Sequence, residues 1–148
     1  TTTAVTSGKG GVAKPTVSVN LAVALARMNR QVGLLDADFA LGNVDVMFGL
    51  TPIAHVGEVL GGEKRLRDVG ALAASGVEVF PAGSGIRSLA QLTQSQWLRL
   101  NRGIADLRDR LDCLVIDTGP GIGDTAVEIA RAADRALVVT TCEPTALV

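Results

Sequence analysis

"TTTAVTSGKGGVAKPT", residues 1–16, reads as a β-rich run that ends at Gly8, crosses a glycine-rich loop and enters a helix. A loop that wraps phosphate has the form G-x-x-x-x-G-K-[ST]. Its backbone N–H groups cradle the anion and its Lys neutralises it. Gly8 and Lys14 fit that form, whereas Ala13 stands at the second Gly position and Pro15 at the hydroxyl position. The stretch therefore predicts a strand–loop–helix unit with two departures at its chemical end.

Working outward, strand-like runs alternate with helix-period segments. The helix after the loop spans 15–30, with Val19, Ala22, Val23 and Ala26 on one face. "QVGLLD" (31–36) is a second strand. Short helices are expected over 44–50, 53–62 and 65–72. "VEVFPA" (77–82) is a third strand, 93–111 a long helix, "CLVID" (113–117) a fourth strand, 124–133 a helix and 135–141 a fifth strand. Continuous Val/Leu/Ile strands joined by helices mean a parallel sheet covered on both faces. Ligands in such sheets bind beyond the carboxyl ends of the strands.

The residues just after the strands are therefore the informative ones. Strand one is followed by the Gly-rich loop, strand two by "DAD" (Asp36, Asp38), and strand four by "DTGPG" (Asp117, Gly121). A phosphate cradle and several carboxylates at one sheet edge are what Mg-nucleotide chemistry requires. Taken singly, each has a plainer reading. Asp36 is at home capping a turn, Asp117 capping a helix, and Lys9 as a solvated loop lysine.

Composition narrows the classes. The chain has 148 residues with 47% hydrophobic content, enough for one domain with a sizeable core. A net charge of −1 offers no basic field for nucleic acid. The apolar runs are strand-sized, short of the ~20 residues of a membrane span. No signal-type pattern is read before the first strand. Cys113 and Cys142 show no metal-type spacing and read as a buried structural pair in a reducing cytosol. His55 reads as a surface or helix-face residue rather than a ligand, Trp97 as packing for the long helix, and the Arg/Asp mix of 99–112 as a solvated face.

"GKGGVAKPT" resembles the deviant Walker A loop, K-G-G-V-G-K-T-[TS], of the MinD/ParA ATPases. "LLDADFALGNVDVMFGL" is similar to a stretch shared by MinD and the FlhG/FleN regulators of flagellar number, and "VIDTGPGIGDTAVEIARAADRALVVTTCEPTAL" is similar to FlhG/FleN. The resemblance implies an α/β, P-loop NTPase-like three-layer sandwich with a mainly parallel sheet of about five strands. It implies a single nucleotide-binding domain over 1–148. Family members run to roughly twice this length, so a C-terminal truncation is expected, leaving the fifth strand an uncovered apolar edge.

By the same resemblance the loop Gly8, Lys9, Gly10, Gly11, Val12, Ala13, Lys14, Pro15, Thr16 holds ATP or ADP, with Gly121 near the γ-phosphate. Lys14 is the phosphate lysine, and Lys9 the signature lysine that reaches the partner's nucleotide across a homodimer. Asp38 positions the hydrolytic water, Asp36 and Asp38 lie near Mg²⁺ with Asp117 as the Walker B acid, and Asn43 matches a family Asn of less defined role. The implied partner is a protein such as a flagellar transcription activator. Membrane or pole contact would come through a missing C-terminal helix of a cytoplasmic protein, with no direct nucleic acid.

Pro15 has neither the hydroxyl that binds Mg²⁺ nor an N–H to point at phosphate. Its presence predicts a helix that starts at Pro15, with the last turn of the loop loosened. Thr16 does not substitute, because one residue turns a helical side chain by about 100°. Ala13 carries a methyl where Gly permits close approach and unusual dihedrals. Weak Mg-ATP binding and very slow hydrolysis are expected. Two classes stay open: an ATPase switch for flagellar number or cell-division site positioning, and a non-hydrolysing regulatory module on the same fold.

Overall fold

The computed structural model describes residues 1–83, 91–121 and 123–142. Among these residues six strands form one sheet: β1 (Thr2–Thr6), β2 (Val32–Ala37), β3 (Ala71–Leu72), β4 (Val77–Phe80), β5 (Cys113–Thr118) and β6 (Arg135–Val138). Their spatial order is β3-β4-β2-β5-β1-β6, parallel throughout except for the β3–β4 pair. The helices are α1 (Lys14–Arg27), α2 (Val44–Met47), α3 (Val56–Gly61), α4 (Gln94–Arg110) and α5 (Asp124–Ala132).

The period-two alternation of the strands sorts the core into two layers. Leu35, Phe80, Leu114 and Ile116 pack on one face with residues of α3, α4 and α5. Val5, Leu34, Val79 and Val115 pack on the other with residues of α1. Every residue of β2 is buried, as befits a central strand covered on both sides. Gly33 in β2 has no room for a side chain, since an added Cβ would lie 2.6 Å from Leu111 Cδ1.

The expected α/β layered fold is present, with differences of detail. The sheet has six strands, not five, because 65–72 is not a helix. Leu66–Asp68 makes a single 3₁₀ turn and Ala71–Leu72 pairs antiparallel with β4. Gly70 explains the break, since an added Cβ there would lie 2.5 Å from Glu78 Oε1 and 2.8 Å from the Phe80 ring. Helix α1 begins at Lys14, one residue before the expected Pro15. Proline in a first turn removes no needed donor, and Val17 N–H reaches Ala13 O at 3.1 Å to close the turn.

The cysteines are not a buried pair: Cys113 is half-buried in β5 and Cys142 is exposed, both with free thiols. β6 lies at the sheet edge with all four residues exposed, Val138 at 65%. Trp97 packs α4 against the Leu35/Phe80 layer, as expected. His55 precedes α3, where its N–H donates to Glu58 Oε2 at 2.8 Å. Among the described residues no helix is long and apolar enough to cross a membrane.

Candidate functional site

The chain leaves β1 through α1 on one face of the sheet and leaves the neighbouring β5 through α5 on the other. Crossovers that part to opposite faces open a crevice at the carboxyl ends of the two strands, the usual ligand position in such sheets. The 7–14 loop lies at that crevice.

The loop is organised around Lys14. Lys14 is buried, 5% exposed, and its ammonium donates to Ser7 Oγ at 2.9 Å, while Ser7 Oγ donates to Lys9 O at 2.7 Å. The first-turn N–H groups of Lys14 and Thr16 have no intrahelical acceptor, whereas Pro15 between them has no N–H. Ala13, the residue before the helix, sits at φ 63°, ψ 32° in the left-handed region, and Gly11 at φ 79°. A left-handed alanine carries roughly 1 kcal/mol of strain that glycine would not.

The carboxylates approach from the next two strands. Asp36 and Asp117 are register partners on β2 and β5, so their side chains share the α1 face about 5 Å apart at the backbone. Ser18, one helical turn beyond Lys14 and fully buried, donates to Asp117 Oδ1 at 2.7 Å. Asp36 accepts Asp38 N–H on one oxygen and Val44 N–H on the other, both at 3.1 Å, which folds the 38–44 loop over the end of β2. Asp38 is half-buried and accepts Leu41 N–H at 3.0 Å, a local turn. Gly119 lies against it, with an added Cβ 3.6 Å from Asp38 Oδ1. A cleft of ≈ 240 Å³ opens there, lined by Asp38, Phe39, Gly119, Pro120 and Thr125 among others.

Burial is the main force on both acids. It raises Asp36 to about 7, against the two backbone hydrogen bonds, with Asp117 and Asp38 adding like charge. It raises Asp117 to about 6, against the Ser18 hydrogen bond and the Lys14 charge. Two neighbouring buried acids, of which Asp117 feels the charge of buried Lys14, form a site short of positive charge. That shortage fits a cation-bearing polyphosphate, and the loop fits its anionic part. The missing hydroxyl and N–H at Pro15 do not. Among the described residues no three His, Cys, Asp or Glu side chains close into a preformed metal cage. Carboxylate oxygens are ligands of the type that a hydrated Mg²⁺ takes.

The structure thus brings together Lys14, Asp36, Asp38 and Asp117, with Gly121 at φ 86° on the loop after β5. Asn43 precedes α2 and its side chain makes no capping bond. Sequence reasoning missed Ser7 and Ser18, the polar partners of Lys14 and Asp117. Ser18 is legible in hindsight from its four-residue spacing from Lys14 on one helix face. It also missed Gly42, where an added Cβ would lie 2.7 Å from Asp36 Oδ2 and 2.6 Å from Ala82 Cβ. Gly42→Ala is expected to cost about 1–3 kcal/mol of stability through this crowding, read as a lower urea midpoint.

The family described as "AAA domain" matches the chain over residues 1–148. The antiactivator FleN of Pseudomonas aeruginosa is 50% identical over 144 residues, covering 97% of this chain and 51% of that protein. The flagellum site-determining protein YlxH of Helicobacter pylori is 36% identical over 144 residues, covering 97% of this chain and 49% of that protein. The chain spans about half the length of these curated relatives. The septum site-determining protein MinD of Pyrococcus horikoshii OT3, solved in complex with Mg-ADP, superposes with a TM-score of 0.81 at 26% identity. The match covers 99% of this chain and 60% of that one. With the loop, the parallel sheet and the strand-end carboxylates in place, the chain belongs to this AAA-domain family, among the P-loop proteins of the MinD/ParA type related to FlhG/FleN.

Proposed function

We propose that the chain is the nucleotide-binding part of a MinD/FlhG-like switch that sets flagellar number or placement, with nucleotide binding and hydrolysis weakened by Ala13 and Pro15. The observation that carries the reading is the convergence of buried Lys14, Asp36 and Asp117 at the carboxyl ends of the strands. The similarity to FleN supports the flagellar role.

In this reading the 8–16 loop and Gly121 surround the phosphates of ATP or ADP. Lys14 leaves Ser7 to neutralise them. Asp117, steadied by Ser18, and Asp36 hold the waters of Mg²⁺, and Asp38 orients the attacking water. Lys9 serves a partner subunit's nucleotide in a homodimer. Bound Mg-ATP supplies the phosphoanhydride whose cleavage resets the switch. The setting is cytoplasmic, with a flagellar transcription activator as protein partner.

A second reading, a non-hydrolysing regulatory module, is favoured by one observation. Pro15 removes a metal ligand and a phosphate donor together, whereas the fold remains. Calorimetric titration with ADP and ATP, with and without Mg²⁺, tests both. The switch reading expects weak binding that Lys14→Ala abolishes. Nucleotide binding that is unchanged in Lys14→Ala would overturn it.

A further inference from the structure

A groove of ≈ 330 Å³ lies between the end of α3, the 3₁₀ turn and the middle of α4. Its floor is apolar, with Val59 and Leu66 from the core, and its rim carries Lys64, Arg65, Arg99 and Arg102 against one acid, Asp106. Two of these cations are neutralised locally: Lys64 pairs with Glu58 at 3.0 Å and Arg65 with Asp68 at 2.8 Å. The two guanidiniums of α4 are not. Among the described residues neither Arg99 nor Arg102 lies within ion-pair distance of a carboxylate.

Arg99 is also held still. Its Nη1 donates to Leu60 O at 2.8 Å, and its Cζ lies 3.2 Å from where a Cβ on Gly62 would be. One donor is spent on the backbone and the others remain for a ligand. An immobilised guanidinium loses little freedom when it takes a carboxylate bidentately. Arg102 is exposed three residues further along the same helix face.

We propose that this groove docks an acidic peptide segment of a protein partner, with an apolar side chain on the Val59/Leu66 floor and carboxylates on Arg99 and Arg102. A peptide fits better than nucleic acid. The cationic rim is interrupted by Asp106, which faces Arg65, and the chain as a whole is net −1. A polyphosphate backbone needs an unbroken basic track, whereas a peptide matches mixed charge and fills an apolar floor. The proposal does not rest on nucleotide binding.

The test is an NMR titration of the isotopically labelled chain with the acetylated, amidated peptide EDLEDL, its basic counterpart KQLKQL and a thymidine dodecamer. The expected result is saturable shifts confined to 59–66 and 99–106 with EDLEDL, weakening with added salt. Arg102→Glu and Lys64→Glu, both at exposed positions, are each expected to weaken binding about tenfold or more. Lack of shifts at about 1 mM EDLEDL would overturn the proposal. So would shifts outside the groove, equal binding of KQLKQL or the oligonucleotide, or unchanged affinity in a folded Arg102→Glu chain.

Discussion

Changing Ala13→Gly and Pro15→Thr together is expected to tighten Mg-ATP binding by at least about a hundredfold. The gain is the sum of several restored contacts. Thr at 15 would restore a backbone N–H beside those of Lys14 and Thr16 and a hydroxyl for the metal. Each such charged hydrogen bond contributes about 1.5–3 kcal/mol, and each ~1.4 kcal/mol is tenfold in affinity. Glycine at 13 removes the left-handed strain seen at φ 63° and lets phosphate approach the backbone. Nucleotide-free stability separates the two changes. Ala13→Gly alone is expected to add about 1 kcal/mol, since its native φ is one glycine prefers. Pro15→Thr alone is expected to lose about 0.4–1 kcal/mol, because proline restricts the unfolded chain where its native φ is already helical. Calorimetry reads the first effect and urea unfolding the second. A double variant that folds and still binds Mg-ATP no better than the starting chain would place the defect elsewhere than the loop.

Lowering the pH from about 8 to about 5 is expected to stabilise the nucleotide-free chain by several kcal/mol. The sign follows from the two buried acids. Asp36 is raised to about 7 and Asp117 to about 6, so between pH 4 and 7 the folded state binds more protons than the unfolded one. Stability conferred by the protonated forms is complete near the unfolded value of 3.8 and is lost as the pH climbs through 6 and 7. One pKa unit corresponds to about 1.4 kcal/mol, and the two acids repel, so their contributions do not add. Thermal or urea midpoints across pH 5–8 provide the measurement. Asp36→Asn is expected to flatten the profile, because the larger of the two titrations is removed. Midpoints that rise with pH across this window would contradict the burial argument.

The fold was largely legible because parallel strands buried on both faces must be continuous Val/Leu/Ile runs, and the helices between them must show a helical period. The failures were local. Residues 65–72 have apolar spacing that suits a short helix, yet Gly70 sits against Glu78 and Phe80 and the chain turns into β3 instead. Cys142 follows an apolar run but is exposed, since exposure depends on what covers β6 and not on composition.

The sequence by itself determined the architecture and the identity of the chemical groups: a glycine-rich loop after one strand, acids after two others, and the two departures at Ala13 and Pro15. Tertiary structure decided how those groups meet. Pairing in register placed Asp36 beside Asp117, a turn of α1 aimed Ser18 at Asp117, and Asp36 spent both oxygens on the 38–44 loop. Local sequence sets backbone preference and period within a few residues. Strand register and burial join residues far apart in the chain, 99 positions in the Ser18–Asp117 bond and 132 in the Thr2–Asp134 bond, and those contacts exist once the sheet has formed.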